Sequence, residues 1–369
     1  MDHTVKQSPD ATSGSPLAHI SPVALFSILL LILLSGCAAF LTRPAPTLIT
    51  TDDSPIQVQF TDPYSTNSGN QAGGIDEAIV SAMDAAERSI DVAIYNFSLK
   101  NVADALLRAH DRGVQVRVVI ESDAIDGFVP QYLMENEIPV FGDRRESLMH
   151  NKFIVIDGLE VWVSSFNLTA SGVYKDHNHI VRVRSAEVAE NYTVEFEEMF
   201  IDDRFGAGSP ANTPYPEVMV EGRRVEVLFS PDDGVARRLA ALVESAEESV
   251  YFLAFSFTAD DIGDAVLRRA AAGVEVRGVF DDNQAQTNTG TNWDRFRAAG
   301  LEVRTGEPTW QMHHKVIIID RKIVTFGSYN YSNNAERRND ENVMITHDAG
   351  LAEQFIAEFE RIYHEGKGG

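Results

Sequence analysis

The chain has 369 residues, enough for two domains of ordinary size that each bury a core. Asp and Glu number 55 against 31 Lys and Arg, for a formal net charge of −24. Such acidity suits a well-solvated surface and repels polyanions wherever basic residues do not gather locally, so nucleic-acid binding is not the default.

A polar start holding Asp2, Lys6 and Asp10 precedes an apolar run over residues 23–34, the length of a signal-peptide core and short for a membrane span. The run ends in Leu34-Ser35-Gly36-Cys37, which resembles a bacterial lipoprotein signal with Cys37 as the lipidated residue. Cys37 is the only cysteine, so no disulfide framework competes for it. The alternative is an uncleaved anchor over residues 22–40. Both readings place the chain from Phe40 onward outside the cytoplasm and beside a membrane. Residues 41–70 are rich in Pro, Thr, Ser and Asp and read as a tether, with one alternating strand at residues 56–60.

The first repeat occupies residues 71–205. Ile75, Ile79, Ala82, Met83 and Ala86 keep helical spacing, and residues 89–95 read as a strand. A helix over 101–112 stops at Gly113, and 114–121 form another apolar strand. Next comes MHNKFIVIDGLEVWVSSFNLT, which holds His150, Lys152 and Asp157 in the order H-x-K-x4-D, followed by Ser164-Ser165-Phe166-Asn167. The Gly- and Pro-rich stretch 206–217 reads as a linker to a second repeat over 218–369.

In that repeat one constant step along the chain carries Ser89 to Ser249, Phe97 to Phe257, Asp104 to Asp264, Gly113 to Gly273 and Arg117 to Arg277. By Ile138 and Leu301 the step has lengthened, and the extra residues fall in 283–292, a Gly-, Thr- and Asn-rich run read as a loop before the second motif. That motif contains His313, Lys315 and Asp320. Four apolar residues between Lys and Asp mark a buried strand, and a second short strand leads into Gly327-Ser328-Tyr329-Asn330. The lengthened step joins the two motifs and also matches Ser165 with Ser328 and Asn167 with Asn330.

These residues resemble the phospholipase D superfamily, whose members carry two HKD motifs, each followed by G-S-x-N. The resemblance spans nearly the whole chain beyond the N-terminal segment. The strand and helix order in each half predicts an α/β fold: two duplicated domains, each a mixed sheet flanked by helices, related by a pseudo-twofold axis. The resemblance implies that both motifs meet at that axis in one active site, for which a monomer suffices.

Two imidazoles on opposite sides of phosphorus suit phosphodiester cleavage, one attacking in line and the other protonating the departing oxygen. Lys152, Lys315, Asn167 and Asn330, with Ser165 and Ser328, would hold the non-bridging oxygens. No metal or other cofactor is expected. The resemblance also implies that a polar residue of the opposite half orients each His, Glu341 for His150 and Asn178 for His313. A carboxylate supports imidazolium character while an amide only fixes a tautomer, which makes His150 the nucleophile and His313 the general acid and base. Ser164 stands where Gly is usual and Asn178 where an acid is common. Asp157 and Asp320 complete the catalytic motifs, with a structural bond at a strand end favoured over direct catalysis.

Near the motifs, His177, His179 and His314 read as packing or surface residues. Trp162, Phe166, Tyr329 and Tyr331 read as core. Arg144, Arg145, Arg337 and Arg338 read either as a positive rim or as exposed loop charge. The expected partner is a phospholipid at the membrane to which the N-terminus is anchored. The alternatives are a metal-independent HKD-type endonuclease and a non-catalytic protein that keeps the phosphate pocket.

Overall fold

The computed structural model describes residues 54–65, 69 and 71–368. The predicted signal segment, Cys37 and the first part of the expected tether lie outside the described residues. The first sheet uses β1 (Ile56–Phe60), β2 (Ser89–Ile94), β3 (Gln115–Ile120), β4 (Val140–Gly142), β5 (Lys152–Ile156), β6 (Glu160–Ser164) and β7 (His179–Arg184). The second uses β8 (Glu217–Val220), β9 (Arg223–Ser230), β10 (Ser249–Ala254), β11 (Glu275–Phe280), β12 (Glu302–Thr305), β13 (Lys315–Ile319), β14 (Ile323–Gly327), β15 (Glu341–His347) and β16 (Lys367–Gly368). Strand order is β1-β7-β6-β5-β2-β3-β4 in the first and β16-β12-β11-β10-β13-β14-β15-β9-β8 in the second. Apart from the edge strands β8 and β16, the two orders coincide once β9 is matched with β1. Both sheets are mixed: β2 and β3 run parallel, as do β10 and β11, while β5 and β13 are antiparallel to their neighbours.

The continuous apolar runs of β5 and β13 follow from burial on both faces. Phe153, Val155, Val316 and Ile318 enter a core that draws on both halves. Ile154 and Ile156 face a second core within the first half, and Ile317 and Ile319 a third within the second. Helices Ala186–Phe200 and Ala349–Glu365 supply Tyr192, Phe196, Phe355 and Phe359 to the shared core. Each of them packs on its own sheet and also reaches a strand of the other half, β9 and β1 respectively.

Two expectations need correction. The strand expected at residues 56–60 is β1, but it is built into the first sheet and not carried on a tether: it pairs antiparallel with β7, and Thr61 just beyond it clasps Asn178, its N–H donating to Asn178 O at 3.0 Å and its Oγ accepting from Asn178 N at 2.8 Å. The run 283–292 is not loop throughout but begins in helix Asp282–Thr287, because the Asp281 carboxylate caps it by accepting from Gln284 N at 3.0 Å.

Asp157 and Asp320 sit in the β5–β6 and β13–β14 turns with φ of 56° and 49°. The Asp157 carboxylate accepts backbone N–H bonds from Glu87, Arg88 and Ser89, at 2.6 Å from Arg88, and Asp320 accepts from Glu247, Glu248 and Ser249. They fasten each hairpin to the start of β2 or β10, the kind of structural bond at a strand end that the sequence favoured over direct catalysis. Burial alone would raise both carboxyl pKa values, but the three N–H bonds outweigh it and hold them below the ordinary range.

Asp157→Ala is therefore expected to cost about 1–3 kcal/mol of stability at neutral pH. A depressed folded pKa contributes stability that is present above the unfolded value of about 3.9 and lost as pH falls through the folded one, so wild type and variant converge in acid. Denaturant melts at several pH values test this. The duplicated sheets also trade volume: Val92 opposite Val118 in the first corresponds to Phe252 opposite Gly278 in the second. A Cβ at Gly278 would run into the Phe252 ring. Gly278→Val should destabilise by about 1–3 kcal/mol, and adding Phe252→Val should recover most of the loss in the same melts.

Candidate active site

β5 and β13 begin at Lys152 and Lys315, so each motif His lies just before a strand, where its backbone must be held by something else. The opposite half does this. Met149 bridges to Asp340 and Met312 to His177. His150 N donates to Asp340 O at 3.0 Å, and His313 N to His177 O at 3.0 Å. On the other side of the backbone, Glu121 accepts from Met149 N at 2.9 Å and Asp281 from Met312 N at 3.1 Å. The motif strands are thus pinned from both halves before any side chain is considered.

The imidazoles are also oriented across the boundary. His150 Nδ1 donates to Glu341 Oε2 at 2.7 Å, and Glu341 Oε1 accepts from Asn339 Nδ2 at 3.2 Å. His313 Nδ1 lies 3.0 Å from Asn178 Oδ1, which also accepts from Ser165 Oγ at 2.8 Å. The Asn178 amide cannot turn over without losing the bond from its Nδ2 to Gly172 O, at 2.9 Å. Both orienting atoms therefore accept, both rings carry their proton on Nδ1, and both Nε2 lone pairs are free. Tyr95 packs edge-on against His150 with ring centroids 5.2 Å apart, and Phe255 against His313 at 4.6 Å.

The lysines are buried beside the histidines. Lys152 Nζ donates to His150 O at 2.8 Å and Lys315 Nζ to His313 O at 2.6 Å. Burial pushes Lys152 down to about 7, with Glu341 pulling the other way. Burial and then the charge of Lys152 push Lys315 well below its ordinary value. His313 is driven down by burial, then by Lys315, Lys152 and His150. His150 is lowered by burial against the pull of Glu341. Groups far apart in sequence depress one another because they surround one place, and among the described residues only Glu341 brings a carboxylate into contact with either ring. A bound anion would relieve all four groups at once.

Asn167 and Asn330 follow β6 and β14, and neither amide oxygen has a hydrogen-bond partner among the described residues. Ser165 and Ser328 are fully buried and their hydroxyls are engaged internally: Ser165 holds Asn178, and Ser328 Oγ accepts from Asn342 N at 3.0 Å. They thus set the strands that carry the orienting residues. Ser164 is accommodated by bonds from its Oγ to Lys152 O and Phe166 O. Its counterpart Gly327 has φ 148° and packs against Asn342 O, where a Cβ has no room. Arg144 and Arg145 are paired with Asp203 at 3.3 and 3.0 Å, and Arg337 lines a separate cavity of about 660 Å³. Trp162, Phe166, Tyr329 and Tyr331 are buried in the core.

The motif reading missed Glu121 and Asp281, and the rings Tyr95 and Phe255. Each pair is separated by the same step as the other matched positions of the two sheets, so the signal was present. Among the described residues no group of three or more His, Cys, Asp or Glu is arranged to hold a metal ion, and no helix is long and apolar enough to cross a membrane.

The chain is similar to several known proteins. A mitochondrial cardiolipin hydrolase of Chlamydomonas reinhardtii is 33% identical over 168 residues, which are 39% of this chain and 75% of that protein. A phospholipase D of Rickettsia bellii is 30% identical over 152 residues, 40% of this chain and 75% of that protein. The crystal structure of a phosphatidylserine synthase of Haemophilus influenzae superposes with a TM-score of 0.65 over 85% of this chain and 87% of that one, at 14% identity, and so shares the fold. Residues 79–200 and 239–363 each match the family described as "Cardiolipin synthase, PLD-like domain". One such domain in each half, with both HKD motifs in place, means that the chain belongs to the phospholipase D superfamily.

Proposed function

We propose that this chain is a phosphodiesterase that hydrolyses phospholipid head-group phosphodiesters through a phosphohistidine intermediate. The observation that carries the reading is that each motif histidine is oriented by the opposite half, His150 by Glu341 at 2.7 Å and His313 by Asn178 at 3.0 Å, with Lys152 and Lys315 bonded to the two histidine carbonyls. In the first step His150 Nε2 attacks phosphorus, the P–N bond forms and the P–O bond to the leaving alcohol breaks. The bound phosphodiester raises the proton affinity of His313, whose Nε2 takes a proton from solvent, and His313 then delivers that proton to the leaving oxygen. In the second step His313 takes a proton from water, the hydroxide attacks phosphorus and the P–N bond breaks. Lys152, Lys315 and the amides of Asn167 and Asn330 hold the non-bridging oxygens. Glu341 suits His150 to be the nucleophile because its carboxylate stabilises the positive charge that the ring acquires on attack.

A lipid substrate is supported by the names of the relatives and by a net charge of −24, with Arg144 and Arg145 committed to Asp203 and not to a polyanion. Anchoring through residues 1–40, with Cys37 as the lipidated residue, would hold the enzyme outside the cytoplasm at the surface of its substrate and raise its local concentration there.

Protein lacking residues 1–40, offered phospholipids and single- and double-stranded DNA, should release head groups and leave DNA intact; DNA cutting without head-group release would replace the lipid reading with the nuclease one. Acid quenching during turnover should trap label on His150, and label on His313 would reverse the two roles. Glu341→Gln should lower kcat by about 10²–10⁴-fold in steady-state assays. Both imidazoles have lowered pKa values and are neutral at pH 7 in the free enzyme, so attack fails only as pH falls through those values. The acid limb of kcat/KM should therefore lie below about 6.5, the ordinary value for His.

A further inference from the structure

Each catalytic contact across the boundary has a second contact beside it. Next to His150 and Glu341, Asn342 Nδ2 donates to Asn151 Oδ1 at 2.8 Å, and Asn151 Nδ2 donates to Glu195 Oε1 at 3.0 Å. The step that joins the two HKD motifs carries Asn151 to His314, His179 to Asn342 and Glu195 to Glu358. In the other half those positions make the same chain from different side chains. His179 Nδ1 lies 2.9 Å from His314 Nδ1, and His314 Nε2 lies 3.3 Å from Glu358 Oε1.

The direction of the imidazole chain is fixed by its end. Glu358 is a carboxylate held by Arg361 at 2.6 Å, so His314 must present its proton on Nε2. Its Nδ1 then accepts, and His179 must donate from Nδ1. This repeats the donor order of the amide chain, residue for residue. His179 and His314 have no exposed surface, and their rings are parallel to within 3°. Phe326 and Phe355 meet His179 edge-on, leaving its Nε2 without a partner, as befits a neutral ring. Arg361, His177 and Lys315 are the cationic or titratable neighbours, and Glu358 the anionic one.

We propose that His179 and His314 are positioning residues that hold Asn178 against His313 across the boundary between the halves. His314 is joined directly to His313, and His179 directly to Asn178. The 2.9 Å contact between the second pair sets the separation of the first, which is 3.0 Å. Losing it frees the His313 ring to exchange tautomers and withdraws the Nε2 lone pair that the proton transfer uses. Burial lowers the proton affinity of both rings and keeps the chain neutral. The kinetic consequence rests on the proton-transfer role proposed for His313, whereas the structural one does not.

The test uses the full chain, with histidines labelled with ¹⁵N, and the variants His314→Ala, His179→Ala and the double variant H179N/H314N, which copies the amide pair of the other half. In wild type, a coupling through the hydrogen bond should link the two Nδ1 nuclei, and His313 should show the Nδ1–H tautomer alone. Either alanine variant should give His313 a mixture of tautomers and lower kcat about 10- to 100-fold with KM unchanged. The double variant should restore the single tautomer and most of kcat. Absence of the coupling in wild type overturns the assignment, even where an alanine variant does not fold. So does a folded alanine variant whose His313 spectrum matches wild type. If the protein turns over none of the substrates tried, the spectra still decide, and only the function reading falls.

Discussion

The structure depends on hydrogen bonds between each motif histidine and the opposite half. A histidine placed before a strand has no ladder partner of its own, and an imidazole in a buried pit has two tautomers of similar energy. Backbone bonds from His150 to Asp340 O and from His313 to His177 O answer the first problem. The Nδ1 contacts with Glu341 and Asn178 answer the second. Neither half can supply these by itself, because the accepting residues begin or precede β15 and β7 of the other sheet. The shared core of β5, β13 and helices Ala186–Phe200 and Ala349–Glu365 is therefore part of the site's construction: it fixes the one separation of the halves at which both sets of bonds can form.

Much of this was legible in the sequence because duplication makes residues testify twice. The constant steps from Ser89 to Ser249 and from His150 to His313 predicted two sheets of like construction, and the strand orders agree. The cross-half pairing of His150 with Glu341 and His313 with Asn178 followed from a resemblance, and those atoms lie 2.7 and 3.0 Å apart. What stayed hidden is what only contact reveals. β1 looked like an ordered patch in a tether, since a five-residue alternating segment gives no sign of the strand it will pair with. The helix at Asp282–Thr287 was concealed by polar residues that favour loops, and it forms because Asp281 caps it. His179 and His314 read as packing residues because a lone buried histidine usually is one; their bond joins positions far apart in the chain.

The copies have diverged in pairs that keep the role at each position while changing the chemistry that delivers it. Phe252 over Gly278 fills the space that Val92 and Val118 fill in the first sheet. Ser164 keeps a strand end with its hydroxyl where Gly327 must be bare because Asn342 O lies against it. Asn151 and Asn342 carry a donor chain that His314 and His179 carry opposite. In every case the residues concerned touch, so a change in one sets the size or polarity that its neighbour must have. Glu341 and Asn178 depart from this pattern: their partner rings are the same, and only the orienting group differs. An unequal pair around equal rings is how a near-symmetric site can assign its two histidines different work.

Charge explains why such a site can sit in so acidic a chain. The carboxylates that give the net charge of −24 lie mostly at the surface, where solvent screens them, while Lys152 and Lys315 have at most 2% of their surface exposed. Their surroundings are poorly solvated, so once an anion binds and both lysines carry charge, two buried ammonium groups outweigh many distant carboxylates there. The same burial disfavours charge on every basic group there and lowers the proton affinity of each. Binding a phosphodiester gives those groups the counter-charge the fold withholds, and the proton affinity recovered by His313 is the affinity it needs to carry a proton to the leaving oxygen. Substrate binding and acid catalysis then draw on a single electrostatic deficit, which the two halves create by bringing their lysines together.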